Sequence, residues 1–429
     1  IYTLSLHDAL PIYELNRMVI ETSVRAQGTD PIFQVASEAN KRIAEIGRDK
    51  VINSTLGAFM DDDGKLVTFD SVYSVFRNIP DAGIAAYAGI AGTPEFLENV
   101  VYACFKHHKP EGYIKAVATP GGTGAVRNAI ANYSEVDDTI LVQDWHWAPY
   151  GTIADENHRK ITTFQLFNDE GNFNMESYKK EFLKLFRSQH RVLSILNTPA
   201  HNPTGYSISD DEWRELIAFY TEQAKAHPEW RIIVLCDIAY IDFAGQGEEA
   251  RAFMELLTGM PENVLPLYAY SASKAYTMYG LRNGALLCVS PTEEIANEFA
   301  AAGAYSNRGT WSNGTHVAQT TLANIVSDPT LLNRFETEQA KWRGILQMRA
   351  KAFMNAAKEV GLKTCTYRDG FFLSVPSKNP EAVRDYLIKE DFFLVALAKG
   401  LRFALCAVNE EKCHKAPALI KKALVEIDG

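Results

Sequence analysis

Residues 231–240 read Arg231-Ile232-Ile233-Val234-Leu235-Cys236-Asp237-Ile238-Ala239-Tyr240, an apolar run that closes on a single acid. A run this apolar, with no alternation of wet and dry positions, fits a strand covered on both faces. Comparable runs recur at Ala116–Ala118, Thr139–Val142, Val192–Leu196, Leu265–Tyr270 and Ala285–Val289. Helix-like stretches lie between them, including Gly124–Tyr133, Met175–Arg187 and Asp210–His227. Strands alternating with helices at this spacing predict a mostly parallel sheet with helices on both faces.

Working outward, Asp30–Arg48 reads as an amphipathic helix, with Pro31 suited to a first helical turn. Asn53–Asp63 follows as a short apolar segment ending in an acidic turn. Beyond the repeating region a long helix is expected over Asp328–Val360. Phe371–Val375, Ala382–Glu390, Phe392–Ala396, Leu401–Ala407 and Lys415–Ile427 then mix strands and helices. The expected fold is α/β, a large domain over 66–309 with a smaller α+β domain over 310–429. Residues 13–65 are expected to pack with the small domain. Ile1–Ile12 resembles a sequencing adapter translated in one frame, so it is expected to be an assembly artefact that takes no part in the fold.

Composition sets the outer limits. The chain has 429 residues, 47% hydrophobic and 22% charged, ordinary values for a globular protein of two or three domains. A formal net charge of −10 argues against nucleic acid as a partner, because that affinity rests on Lys and Arg at phosphates. None of the six cysteines forms a C-x-x-C pair and several lie in apolar runs. They read as reduced core residues of a cytoplasmic protein, not as a metal site or a disulfide frame. No apolar run approaches the roughly 20 residues that span a bilayer, so no membrane partner is expected.

Four short elements carry chemistry. Thr119-Pro120-Gly121-Gly122-Thr123-Gly124 lies between a strand and a helix, where backbone N–H groups and the helix dipole can receive a phosphate. It is neither a P-loop nor a dinucleotide fingerprint. Ala200-His201-Asn202-Pro203-Thr204-Gly205 follows another strand and reads on its own as a turn. Asp237 closes a strand at the edge where ligands bind in doubly wound folds, and a buried acid there needs a partner; alone it reads equally as a helix cap. Ser271-Ala272-Ser273-Lys274 again follows a strand, with Arg282 eight positions on. Positive charge nearby lowers a lysine's pKa and frees its amine to form an imine.

Together these elements resemble the fold-type I, class I aminotransferases, the aspartate and aromatic amino-acid aminotransferase family, across nearly all of Asp30–Val425. The resemblance implies pyridoxal 5′-phosphate (PLP) as cofactor, with Lys274 as its Schiff-base residue. Asp237 would pair with the pyridine nitrogen, and Tyr240 and Asn202 would contact the phenolate oxygen. Gly121, Gly122, Thr123, Ser271, Ser273 and Arg282 would form the phosphate site, and Trp147 would stack on the ring and border the substrate. Arg402 matches the arginine that grips the substrate carboxylate bidentately, and Gly57 a backbone position close to the substrate. Tyr87 matches a tyrosine that reaches the neighbouring subunit's phosphate, which implies a homodimer with shared active sites.

Arg308, 34 positions after Lys274, falls where the family carries an arginine for dicarboxylate side chains. That supports 2-oxoglutarate as one substrate, with an aspartate-like or aromatic L-amino acid as the other. One departure stands out. Tyr150 occupies a position where aspartate aminotransferases often carry a histidine behind the pyridinium aspartate. Two alternatives share the same cofactor residues: a PLP-dependent β-lyase, and a regulator built on an aminotransferase-like domain.

Overall fold

Among the described residues there are eleven strands: β1 (Ile52–Ser54), β2 (Tyr113–Pro120), β3 (Thr139–Gln143), β4 (Lys160–Phe164), β5 (Arg191–Asn197), β6 (Arg231–Asp237), β7 (Val264–Ser271), β8 (Asn283–Ser290), β9 (Phe372–Pro376), β10 (Phe392–Leu397) and β11 (Gly400–Ala404). These come from a computed structural model describing residues 18–20, 23–24 and 31–429. The expectation for Ile1–Ile12 lies outside the described residues.

Strands β2 to β8 make one seven-stranded sheet in the order β2-β8-β7-β6-β5-β3-β4. β4, β3, β5, β6 and β7 pair in parallel, while β8 pairs antiparallel with both β7 and β2. One strand therefore runs against the other six. The apolar runs are explained by packing on both faces. Leu193, Ile195, Ile233 and Leu235 join one buried cluster with Ala125, Ile130 and Phe299. Their neighbours Val192, Leu196, Ile232 and Val234 join the other, with Trp213 and Phe219.

This topology positions the site. Five parallel strands bring their carboxyl ends to one edge, where β6 delivers Asp237 opposite Asn197 of β5 and Ala269 of β7. The reversed β8 begins at that same edge, with Gly284 opposite both Ser271 and Thr119. Arg282, just before β8, thus arrives beside Lys274, just after β7.

The second sheet has the order β1-β10-β11-β9. β1 comes from the start of the chain and pairs in parallel with β10, while β11 pairs antiparallel with β10 and β9. Arg402 of β11 lies between Val395 and Ser374. A 31-residue helix, Pro329–Glu359, joins the two regions. Its Asp328 cap accepts hydrogen bonds from the N–H groups of Thr330 and Leu331, close to the start expected from the sequence.

Three elements differ from expectation. The helix after β2 starts at Gly121 instead of Gly124, so the glycines form its first turn. The last helix starts at Glu410, capped by Asn409, and accommodates Pro417 within it. Leu401–Ala407 divides into β11 and a short 3-10 turn, Leu405–Ala407. Among the described residues, no helix is long and apolar enough to cross a membrane.

Candidate active site

At the shared edge of the large sheet, one cavity is lined by Gly122, Thr123, Trp147, Asn197, Asn202, Asp237, Tyr240, Ser271, Ser273, Lys274 and Arg282. It opens into a wider groove bordered by Ile32, Phe33, Leu56, Gly57, Phe372, Leu397 and Arg402. Residues scattered over nearly the whole chain thus meet in one place.

One end of the cavity suits an anion. The first turn of helix Gly121–Tyr133 points its free N–H groups there, and its dipole adds positive potential. Gly121 has φ +70°, and a Cβ on it would lie 2.7 Å from Arg282 Nη2; a larger residue would displace the guanidinium. Arg282 Nη1 donates to Ser273 Oγ at 3.2 Å and to the Tyr279 carbonyl at 2.8 Å. Ser271 Oγ accepts from the Ser273 N–H at 3.3 Å. Two hydroxyls, a guanidinium and a helix N-terminus converge.

The same cavity holds a carboxylate. Asp237 is buried, and burial pushes its pKa above the usual carboxylate range. Four groups oppose that rise: the Tyr150 hydroxyl, 2.5 Å from Oδ2; the Ala239 N–H, 3.2 Å from Oδ1; the positive charge of Lys274; and the Asn197 side chain. The Asn197 side-chain amide donates to the Asp237 carbonyl at 3.0 Å. Lys274 Nζ stands 5.1 Å from the centre of the Tyr240 ring. Burial lowers the Lys274 pKa to about 8, with Asp237 pulling it up and Arg282 pushing it further down.

The wall facing the small sheet is a chain of polar contacts. Asn202 Nδ2 donates to Tyr240 Oη at 3.4 Å, and Arg402 Nη1 reaches Asn202 Oδ1 at 3.5 Å. Arg402 Nη2 donates to the Thr55 carbonyl at 2.9 Å, and the guanidinium lies 4.5 Å from the centre of the Phe372 ring. Gly57 is pressed against that same ring: a Cβ there would come within 2.5 Å of Phe372 Cζ. Trp147 forms another wall, edge-on to Tyr150 with ring centres 5.5 Å apart.

Two residues singled out from the sequence lie elsewhere. Tyr87 is 90% exposed, and Arg308, near the end of helix Glu293–Thr310, is exposed and donates to Ser312 Oγ at 2.9 Å. Neither lines the cavity. Conversely, the sequence reading passed over Asn197, whose Oδ1 accepts from the Asn202 N–H at 2.6 Å. The available signal was a polar residue closing a buried apolar strand, as at Asp237.

The donor set fits a flat, phosphate-bearing nitrogen heterocycle with a carbonyl. It offers an anion cradle, a buried carboxylate and a lysine with a depressed pKa, all lining one cavity. Fold and site together define a PLP enzyme of fold-type I. The chain belongs to the class I and II aminotransferase family, whose model matches residues 49–420. It is a PLP-dependent aminotransferase.

A solved aminotransferase from Anaerococcus prevotii is 39% identical, with a TM-score of 0.92, covering 95% of this chain and 99% of that one. The aromatic-amino-acid aminotransferase of Paracoccus denitrificans is 26% identical over 394 residues, 89% of this chain and 93% of that protein. The aspartate aminotransferase of Escherichia coli (strain K12) is 23% identical over 395 residues, 88% of this chain and 93% of that protein.

Proposed function

We propose that the chain moves an amino group between an aromatic or aspartate-like L-amino acid and 2-oxoglutarate, with Lys274 as the residue that carries and releases the cofactor. The observation that carries this reading is that Lys274 shares one cavity with the Asp237 carboxylate and the Arg282 cradle, both near enough to act on its charge. When bound, PLP supplies an electron sink for negative charge at the substrate's α-carbon.

The protein's own groups have separate tasks. Asp237 would hold a proton at the ring nitrogen. Tyr240 and Asn202 would hydrogen-bond the ring oxygen, and Trp147 would stack on the ring. Gly121, Gly122, Thr123, Ser271, Ser273 and Arg282 would hold the phosphate. Arg402 would grip the substrate carboxylate, with Gly57 close to the substrate. The Lys274 amine, its pKa lowered to about 8 by burial, would accept and return a proton near neutral pH.

The same reading places 66–309 as the cofactor domain and 310–429 as the small domain, with the 13–65 segment joined to it. The pairing of β1 with β10 supports the last point. The exposure of Tyr87 and Arg308 supports a homodimer in which each enters the partner's site, Tyr87 at the phosphate and Arg308 at a dicarboxylate side chain. Six buried free cysteines support a reducing, cytoplasmic setting.

The test is single-turnover mixing of holoenzyme with each of the twenty amino acids, followed by 2-oxoglutarate. Donors convert the cofactor to its amine form, and the oxo acid regenerates it. If no amino acid converts the cofactor, or if pyruvate and ammonia form without an oxo acid, the proposal fails.

A further inference from the structure

Tyr150 is fully buried, on the first turn of helix Pro149–Glu156, inside an apolar cluster with Ala125, Ile153 and Leu193. A phenylalanine would fill that space, so the hydroxyl calls for a purpose of its own. It ends 2.5 Å from Asp237 Oδ2. The rest of the ring is clamped: His146 stacks near-parallel with ring centres 6.4 Å apart, and Trp147 meets it edge-on. The Tyr150 N–H also donates to the Trp147 carbonyl at 3.0 Å. A single helical turn therefore links one cavity wall to the carboxylate at the cavity's end.

We infer that Tyr150 positions Asp237 for the cofactor's ring nitrogen, donating its hydroxyl proton to Oδ2 so that the buried acid stays ionised and correctly turned. The inference rests on the reading of Asp237 given above. Two observations support it. The carboxylate is buried where its charged form is disfavoured, and the Tyr150 hydroxyl heads the groups that oppose this. Burial and the adjacent carboxylate also hold the Tyr150 phenol well above its ordinary pKa, so it remains a neutral donor. A phenol, unlike an imidazole, cannot become positive, so Tyr150 donates without adding charge beside the acid.

The experiment compares binding of PLP with binding of its 1-deaza analogue, whose ring has a C–H in place of the nitrogen. Apoenzyme is prepared from wild-type, Tyr150→Phe and Asp237→Ala holoenzyme, and both ligands are titrated. Wild type should prefer PLP. Tyr150→Phe should weaken PLP about tenfold, the effect of one hydrogen bond to a charged group. It should leave deaza binding within about twofold, which also reports that the variant is folded. Equal weakening of both ligands, or no weakening of either, overturns the role of Tyr150. If Asp237→Ala keeps the preference for PLP, the reading of Asp237 fails instead. If Asp237→Ala abolishes the preference while Tyr150→Phe retains it, Asp237 stands and Tyr150 falls.

Discussion

Replacing Arg402 with lysine preserves the charge and removes the planar fork, which isolates what geometry contributes to substrate binding. In the structure the guanidinium is fixed on three sides: Nη2 by the Thr55 carbonyl, Nη1 by Asn202, and its face by Phe372. It is also buried, so both of the proposed carboxylate bonds would form away from bulk water. Lysine can replace one of the two charge-assisted bonds, and its flexible stem does not reproduce the Thr55 anchor. Losing one such bond costs roughly 1.5–3 kcal/mol, or roughly a 10- to 150-fold fall in kcat/KM. The assay is the amino-acid half-reaction followed by cofactor absorbance, run beside a titration with a non-reactive carboxylate analogue of the substrate. Both should weaken together. A fall in kcat/KM of less than about threefold, with analogue binding unchanged, would refute the assignment of the carboxylate to Arg402.

Four further outcomes follow from the geometry. Lys274 has its folded pKa lowered from 10.5 to about 8, so the unfolded chain binds more protons between those values and apoprotein stability should rise with pH across that window. The rate at which apoenzyme captures PLP should rise through about pH 8 as the amine becomes neutral; an inflection near the ordinary lysine value would contradict the placement. Arg282→Gln should weaken PLP at least about tenfold, through loss of a charge-assisted bond to phosphate, and leave pyridoxal, which lacks the phosphate, nearly unaffected in the same titration. In Gly284→Ala the new methyl would lie 2.6 Å from both the Gly121 carbonyl carbon and the Tyr270 oxygen. Because both are backbone atoms, the change should cost about 1–3 kcal/mol in denaturant unfolding and also loosen PLP.

The large sheet was legible because strands buried on both faces carry apolar runs: β5, β6, β7 and β8 are almost wholly buried. β4 escaped notice because Lys160-Ile161-Thr162-Thr163-Phe164 is a half-exposed edge strand. β1 escaped because three residues become a strand only by pairing with β10, some 340 positions later. Nor does an apolar run state its direction, so the reversal of β8, which brings Arg282 to the site, needed the structure. Within the site, residues in short motifs at strand ends were readable one by one. Asn197 was not, since its meaning lies in its bonds to Asn202 and to the Asp237 carbonyl. The departure at Tyr150 was visible as a residue type, while its hydrogen bond to Asp237 was not.

The central claim is that Lys274 is the lysine that bonds the cofactor. Reducing the holoenzyme with borohydride fixes that linkage as a stable secondary amine, and peptide mapping by mass spectrometry then locates it. The label is expected on the peptide carrying Ser271-Ala272-Ser273-Lys274, and on no other lysine. A label on a different lysine, or a holoenzyme that reduction leaves unlabelled, would contradict the claim.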